Sequence, residues 1–195
     1  INILPGDTFI CSPGDSVQLF IEPTGNPPVS NLVCGTNNTS CAGRIANNYD
    51  VGTGTTGSTN GSPYDGLWEN ARNQYLFRAS ELQQLGVPSG TINSISWFVT
   101  NKISSHTYGG FTIKMACTNR SDLSGTNFDQ SSFSTVFSPS NYITTNGWNI
   151  HNLTNSFDWD GVSNIIVEVC YNSGTGPSAW SNSDEVRFTN TSFIS

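Results

Sequence analysis

The chain has 195 residues, a net charge of -7 and 11% charged residues, against about 25% in an ordinary soluble domain. Seven basic residues against fourteen acidic ones exclude a basic surface for nucleic acid or anionic lipid. No apolar run is long enough to insert into a membrane. The aromatic content of 11% argues against disorder, and the length suffices for a sizeable core.

Residues 1–43 differ from the rest of the chain and are interpreted as an N-terminal extended arm or the remnant of a neighbouring module. Pro-Gly-Asp turn signals at 5–7 and 13–15 precede a short strand pattern at 16–21. Val17, Leu19 and Ile21 share one face of that predicted strand.

Residues 44–195 are predicted to form one β-sandwich domain. The predicted strands are 44–51, 74–78, 91–100, 111–117, 136–142, 148–152, 165–170 and 186–189. A loop is predicted at 52–61, and one short helix is predicted at 80–86, with Ser80 as the cap and Gly86 as the stop. Parallel strands would need crossover helices that this pattern lacks. The sequence therefore indicates an all-β, antiparallel sandwich of jelly-roll type.

Alternation within the predicted strands indicates which residues share a face. Ile113, Met115 and Cys117 alternate in one strand, and the strand 165–170 is apolar on both faces except at Glu168. Trp97 and Trp148 sit in strand patterns and are predicted to lie in the core, whereas His151 is placed on a polar strand face. If Trp97 and Trp148 lie in the core, only aromatic side chains in loops remain available to bind a ligand.

Five cysteines allow two disulfides and one remaining thiol. No C-x-x-C pair occurs, which argues against structural zinc, and disulfides in an oxidising, extracellular compartment are the preferred interpretation. The preferred pairing joins Cys34 to Cys41 and Cys117 to Cys170. Cys11 is then free or crosses to a neighbouring chain.

The candidate catalytic patterns are weak, and the chain is predicted not to be an enzyme. No G-x-S-x-G elbow is present for a serine hydrolase. Glu168 with Asp158 or Asp160 would be the carboxylate pair of a glycoside hydrolase, but a lone acid in a strand is more often structural. Asp158 and Asp160 are also candidate calcium ligands, with an Asp-Gly turn at Gly161 as the favoured alternative. No other cofactor is predicted.

Aromatic side chains in loops are candidate platforms for a glycan. Trp180 lies in a loop rich in Gly, Ser and Pro, and Tyr64 and Trp68 follow a Gly-rich stretch. Amide and carboxylate side chains near such rings would bond to sugar hydroxyls. These three residues form the predicted glycan platform.

Several segments resemble β-sandwich modules of large secreted or cell-surface Bacteroidetes proteins. The similar segments, which together span about 45–190, are 52–54, 64–68, 72–77, 79–82, 147–149 and 157–171. Residues 11–17 look like the start of an Ig-like repeat from the same kind of protein. The resemblance implies export by type IX secretion in adhesins, gliding-associated proteins or accessory parts of enzymes, and it assigns no catalytic residue. Asp15-Ser16-Val17 resembles an O-glycosylation motif of such exported proteins, which makes Ser16 the candidate acceptor.

The predicted function is therefore a non-catalytic module of a bacterial cell-surface protein. It would act in adhesion or as a subunit of an extracellular filament, in which the strand 16–21 completes a neighbour's sheet and Cys11 locks the contact. Its partners would be copies of itself, neighbouring modules or surface glycans. The alternative is a carbohydrate-binding module attached to a secreted hydrolase.

Overall fold

A computed structural model describes residues 34–36, 47–105, 107–124, 128–173 and 183–191. This part of the chain contains eleven strands, all paired antiparallel, and one short helix. The elements are β1 Gly35–Thr36, β2 Gly57–Ser58, β3 Asn70–Phe77, α1 Ala79–Gln84, β4 Gly90–Asn101, β5 Tyr108–Gly109, β6 Thr112–Thr118, β7 Ser134–Phe137, β8 Asn141–Tyr142, β9 Gly147–Trp159, β10 Asn164–Asn172 and β11 Glu185–Arg187. The predicted all-β class is confirmed.

Two main sheets pack against each other. One has the order β1-β9-β4-β11-β2, the other has the order β3-β10-β6-β7, and β5 pairs with β8 in a small third sheet. Side chains that alternate inward from both main sheets form one apolar core. Its largest cluster includes Val99, Ile113, Met115, Phe157, Trp159, Ile165, Val167 and Val169. The architecture is that of the predicted antiparallel sandwich.

Strand β10 is buried on both faces because a loop covers its outer side. Gln74 of β3 donates its side-chain amide to the Asp129 carbonyl at 3.1 Å and accepts from the Asp129 amide at 2.7 Å. The Arg72 guanidinium lies 4.5 Å from the ring centre of Phe128 in the same loop. The described parts of the β6–β7 connection thus shield the outer face, which explains why 165–170 lacks simple alternation.

The first half of β9 has the opposite orientation to the one predicted. Trp148 and Ile150 point to solvent, with 46% and 58% of their surface exposed, whereas His151 is 0% exposed. Asn149 is also buried, and it accepts from the Thr145 amide at 3.0 Å. The core prediction for Trp148 is therefore wrong, because the polar face of this strand finds hydrogen-bond partners inside the sandwich. Trp97 does pack against the core.

The predicted disulfide pairing is wrong in both of its bonds. Cys34, just before β1, is bonded to Cys117 on β6, with Cα atoms 6.1 Å apart, so the bond links the two main sheets. Cys117 lies opposite Ile165 in the ladder, and Cys170 is five residues further along β10, about 17 Å away at strand spacing. Cys170 also points to the other face and has no disulfide partner among the described residues. Cys41 and Cys11 lie outside the described residues.

Several element boundaries differ from the sequence prediction. Residues 47–51 are not a strand, the loop at 52–61 includes β2, and the predicted strand 136–142 is divided between β7 and β8. Ser80 lies within α1 rather than capping it, and the cap is closed by Glu81, which accepts from the Arg78 amide at 3.1 Å. Gly86 ends the helix with φ +76° as predicted. The predicted arm residues Val17, Leu19 and Ile21, and Ser16 beside them, lie outside the described residues.

The Gly-rich segment before β2 lies against the end of the chain at close range. The Thr53 and Gly54 amides both donate to the Thr189 hydroxyl, at 2.9 and 2.8 Å. A Cβ atom at Gly54 would stand 1.6 Å from the Phe188 carbonyl oxygen. Only glycine permits this approach. None of the described helices has the length and apolar character needed to cross a membrane.

Candidate binding groove

Buried groups form hydrogen bonds with the backbone of the loop before β3. The Tyr64 carbonyl accepts from the Tyr108 hydroxyl at 3.1 Å and from the Asp184 amide at 3.0 Å. The Tyr171 hydroxyl donates to the Trp68 carbonyl at 3.2 Å and also to the Asp65 carbonyl. Burial raises the pKa of both Tyr108 and Tyr171, so both hydroxyls remain protonated donors.

The Asp184 carboxylate fixes the neighbouring loops in turn. It is fully buried and accepts from the Ile103 and Ser104 amides, at 2.8 and 2.6 Å, and from the Thr144 hydroxyl at 2.6 Å. A buried carboxylate with this many donors is satisfied as a structural group. Through its backbone amide and its carboxylate, Asp184 therefore connects the loop before β3 to residues 103–104 and to Thr144.

The outer side of this loop presents an indole to solvent. Trp68 is 61% exposed, and Leu67 beside it is 50% exposed. They lie next to an open groove of about 400 Å³ that is lined by Asp65 and residues 68–73. The groove thus combines one exposed aromatic ring with carboxylate, amide and guanidinium side chains.

The positive charge of Arg72, which lines the groove, is neutralised by Glu168. Arg72 approaches the Glu168 carboxylate to 2.6 Å, and Lys114 approaches it to 3.2 Å from the other side. Burial acts to raise the pKa of Glu168, but hydrogen bonds from Gln74, Arg72 and Lys114 outweigh it and hold the pKa below its ordinary value. Glu168 therefore stays ionised, as a structural anion rather than a proton donor.

The candidate carboxylate pair for glycoside hydrolysis is not assembled. Glu168 lies on the outer face of the four-stranded sheet, whereas Asp158 lies in the five-stranded sheet and accepts from the Thr91 hydroxyl at 2.6 Å. Asp160 accepts from the amides of Val162 and Ser163, at 2.9 and 2.8 Å, within its own turn. No sugar could lie between these groups in the way that two-carboxylate catalysis requires.

Asp158 and Asp160 are also the calcium ligands that the sequence predicts. Asp160 accepts hydrogen bonds within its own turn, so the Asp-Gly turn, the predicted alternative to a calcium site, is sufficient to explain its position. In the described ranges, no group of three or more His, Cys, Asp or Glu side chains is arranged to hold a metal ion. Calcium binding at this place stays a prediction.

Two of the three predicted glycan-platform residues lie in the described part of the chain. Trp68 is exposed beside the groove, but Tyr64 is wholly buried, because its ring packs in the aromatic core and its hydroxyl lies 2.8 Å from His151 Nε2. Trp180 lies outside the described residues. On either side of its segment, the Ser173 amide donates to the Glu69 carbonyl at 3.0 Å and the Ser183 hydroxyl donates to Asp65. Both described flanks are therefore attached to the groove.

Sequence reasoning missed the groove's other members: Asp65 and Asn73 lie in segments that carry the resemblance but no binding role, and Glu69 and Asn70 belong to no motif. Their only signal is their proximity in sequence to Trp68. Comparison with known proteins adds no assignment: no family model, curated protein or solved structure matches the chain.

Proposed function

We propose that this chain is a non-catalytic module of a secreted cell-surface protein, and that it acts in adhesion by binding a glycan in the Trp68 groove. The observation that carries the proposal is an exposed indole on a backbone that buried hydroxyls hold in place. Such a site loses little conformational entropy when a ligand binds.

The chemistry of the groove suits a sugar. The apolar C–H face of a pyranose ring packs on an indole, while its hydroxyls bond to amides and carboxylates. Trp68 supplies the ring, and Asn70, Asn73 and Glu69 supply the polar groups along the groove. The Asn73 side-chain amide also donates to the Ser62 carbonyl at 3.3 Å, which holds that side chain beside the groove.

The proposed location rests on the disulfide and on the resemblance. The bond between Cys34 and Cys117 is typical of an oxidising environment. A module of a Bacteroidetes surface protein exported by type IX secretion would meet such conditions. The sparse charge of the chain also suits a crowded cell exterior, because it limits long-range repulsion between neighbours.

A glycan array with the immobilised full chain and its variants tests this function. We expect Trp68→Ala to weaken binding at least about tenfold, equal to about 1.4 kcal/mol, and Trp68→Tyr to recover part of it. Val162→Ala is the matched control, because Val162 is 73% exposed in a separate turn. Absence of any bound glycan, or wild-type binding by Trp68→Ala at an unchanged melting temperature, would refute the proposal.

Assembly by strand exchange is a second candidate, favoured by the edge of β9. β1 pairs only with Phe157 and Asp158, and the Thr154 and Asn155 side chains donate to carbonyls of β7, both at 3.0 Å. No other described strand forms a ladder with that edge, so residues 147–153 are the part that could accept a strand. The strand predicted at 16–21 could lie there in a neighbouring copy. Leu19→Asp should then abolish concentration-dependent assembly in sedimentation velocity, and unchanged assembly would remove this candidate.

A further inference from the structure

The outer face of the five-stranded sheet carries a second exposed aromatic surface, which we call the Trp148 platform and define as Trp148, Ile150, Phe98 and Arg187. Phe98 of β4 lies opposite Trp148 of β9 in the ladder. Their rings meet at 88° with centres 5.3 Å apart, and the Arg187 guanidinium lies 3.6 Å from the Phe98 ring centre. Phe98 thus packs against the edge of Trp148 and is itself covered by Arg187, while about half of the Trp148 surface remains exposed to solvent.

Folding alone does not explain why these side chains point outward. In the same half of β9, Asn149 and His151 occupy the inner face while Trp148 and Ile150 occupy the outer one. In a sheet with one solvated face, apolar side chains ordinarily face the core and polar side chains face the solvent. Departures from such local rules concentrate at functional sites, so the outward Trp148 calls for a binding partner rather than a packing role.

The size of the platform selects the kind of partner. Full aromatic side chains present about 150–250 Å², so the exposed fractions of these apolar residues sum to no more than about 300 Å². A stable protein interface buries about 800 Å² on each side, of which about 450 Å² is apolar. A second copy or a folded partner would therefore find too little apolar surface here, whereas one or two sugar rings would be covered.

The charge around the platform selects the kind of glycan. The neighbouring outward positions on β4 and β9 are Ser94, Ser96 and Asn152, which offer hydroxyl and amide groups without charge. Arg187 is held over the Phe98 ring at the margin. The net charge of -7 would repel a polyanion, so a neutral chain fits this surface better than an acidic one.

We propose that the Trp148 platform is a second glycan-binding surface, which takes the flat face of a neutral polysaccharide chain. It belongs to a different sheet from β3, whose first residues line the Trp68 groove, and the inference does not depend on that groove. Where both surfaces bind, one long polysaccharide or one cell surface would be held at two points, and the apparent affinity would exceed that of either contact.

Depletion of the full chain from solution by insoluble neutral polysaccharides tests the platform. The probes are microcrystalline cellulose, chitin and curdlan, with soluble alginate as the acidic competitor. We expect Trp148→Ala to weaken binding to at least one polymer about tenfold or more, with Trp148→Tyr retaining most binding. Val162→Ala should bind as the wild type does.

Four outcomes would overturn the inference. They are no depletion of the wild type by any of the three polymers, unchanged depletion by Trp148→Ala, competition by alginate at low ionic strength, and a large fall in melting temperature in Trp148→Ala. The last result would mean that the chain itself covers the indole. Trp68→Ala, measured in parallel, separates the two surfaces: a loss only in Trp148→Ala supports the platform and counts against the groove.

Discussion

Acid should destabilise this fold through one buried histidine. His151 is fully buried, its Nε2 lies 2.8 Å from the Tyr64 hydroxyl, and its Nδ1 has no partner among the described residues. Aromatic rings of Tyr64, Trp97, Phe111 and Tyr142 surround it. Burial lowers its pKa from 6.5 to about 4, because the charged imidazolium is disfavoured in a site removed from water.

The sign and size of the effect follow from linkage. Between pH 6.5 and 4 the unfolded chain binds a proton at this position and the folded chain does not, so the free energy of unfolding falls as pH falls. With pKa values of 6.5 and about 4, lowering the pH from 7.5 to 5.0 removes about 2 kcal/mol. The two nearest hydroxyls do not interfere, since burial raises the pKa of Tyr64 and Tyr142 and keeps both neutral.

Urea unfolding of the wild type and of His151→Leu at pH 7.5 and 5.0 measures this contribution. The variant should be less stable at both pH values but should lose the histidine's share of the pH dependence. The chain has two histidines, and His106→Gln is the matched control that should keep the wild-type slope. Stopping at pH 5.0 avoids the range in which most carboxyl groups titrate. An identical slope in His151→Leu would show that this reasoning is wrong.

Two further predictions concern covalent and steric constraints. Cys34→Ser opens a disulfide whose partners are 83 residues apart, and it should lower the free energy of unfolding by about 4.5 kcal/mol. Denaturant titration measures this loss, and Cys170→Ser is the control that should have little effect. A Cys34→Ser variant as stable as the wild type would contradict the prediction. Gly54→Ala should cost about 2 kcal/mol, because its Cβ would meet a carbonyl oxygen at 1.6 Å; a calorimetric melting temperature equal to that of the wild type would disprove the close approach.

The strands could be predicted where one face alternates cleanly. Ile113 and Met115 on β6, and Val99 on β4, occupy the core as their spacing indicates. The disulfide could not be predicted, because it depends on which strand of the other sheet lies beside Cys34, and spacing along the chain carries no such information. The predicted bond between Cys117 and Cys170 also failed, since two cysteines on adjacent strands can still differ in register and in face.

The sequence predicted a member of the candidate site correctly only where an aromatic residue lies in a loop and has no contact that draws it into the core. Trp68 follows turn-forming residues and belongs to no strand, so exposure was the simplest expectation, and the structure agrees. Tyr64 has the same local signals, yet contacts with Tyr108 and His151, far away in sequence, draw its ring into the core. Local composition therefore identifies loops but does not decide which of their rings turn inward.

The orientation of β9 shows why the second surface was missed. Alternation predicts that Trp148 and Ile150 share one face and that Asn149 and His151 share the other, but it is silent about which face is inside. Hydrophobicity alone would bury the tryptophan, at a gain of about 2 kcal/mol or more for a large apolar side chain. The chain instead buries His151 with a hydrogen bond to Tyr64 and accepts the desolvation that lowers its pKa. Because Trp148 leaves 46% of its surface in solvent, its contact with Phe98 recovers only part of that gain, and we attribute its place on the outer face to the proposed ligand.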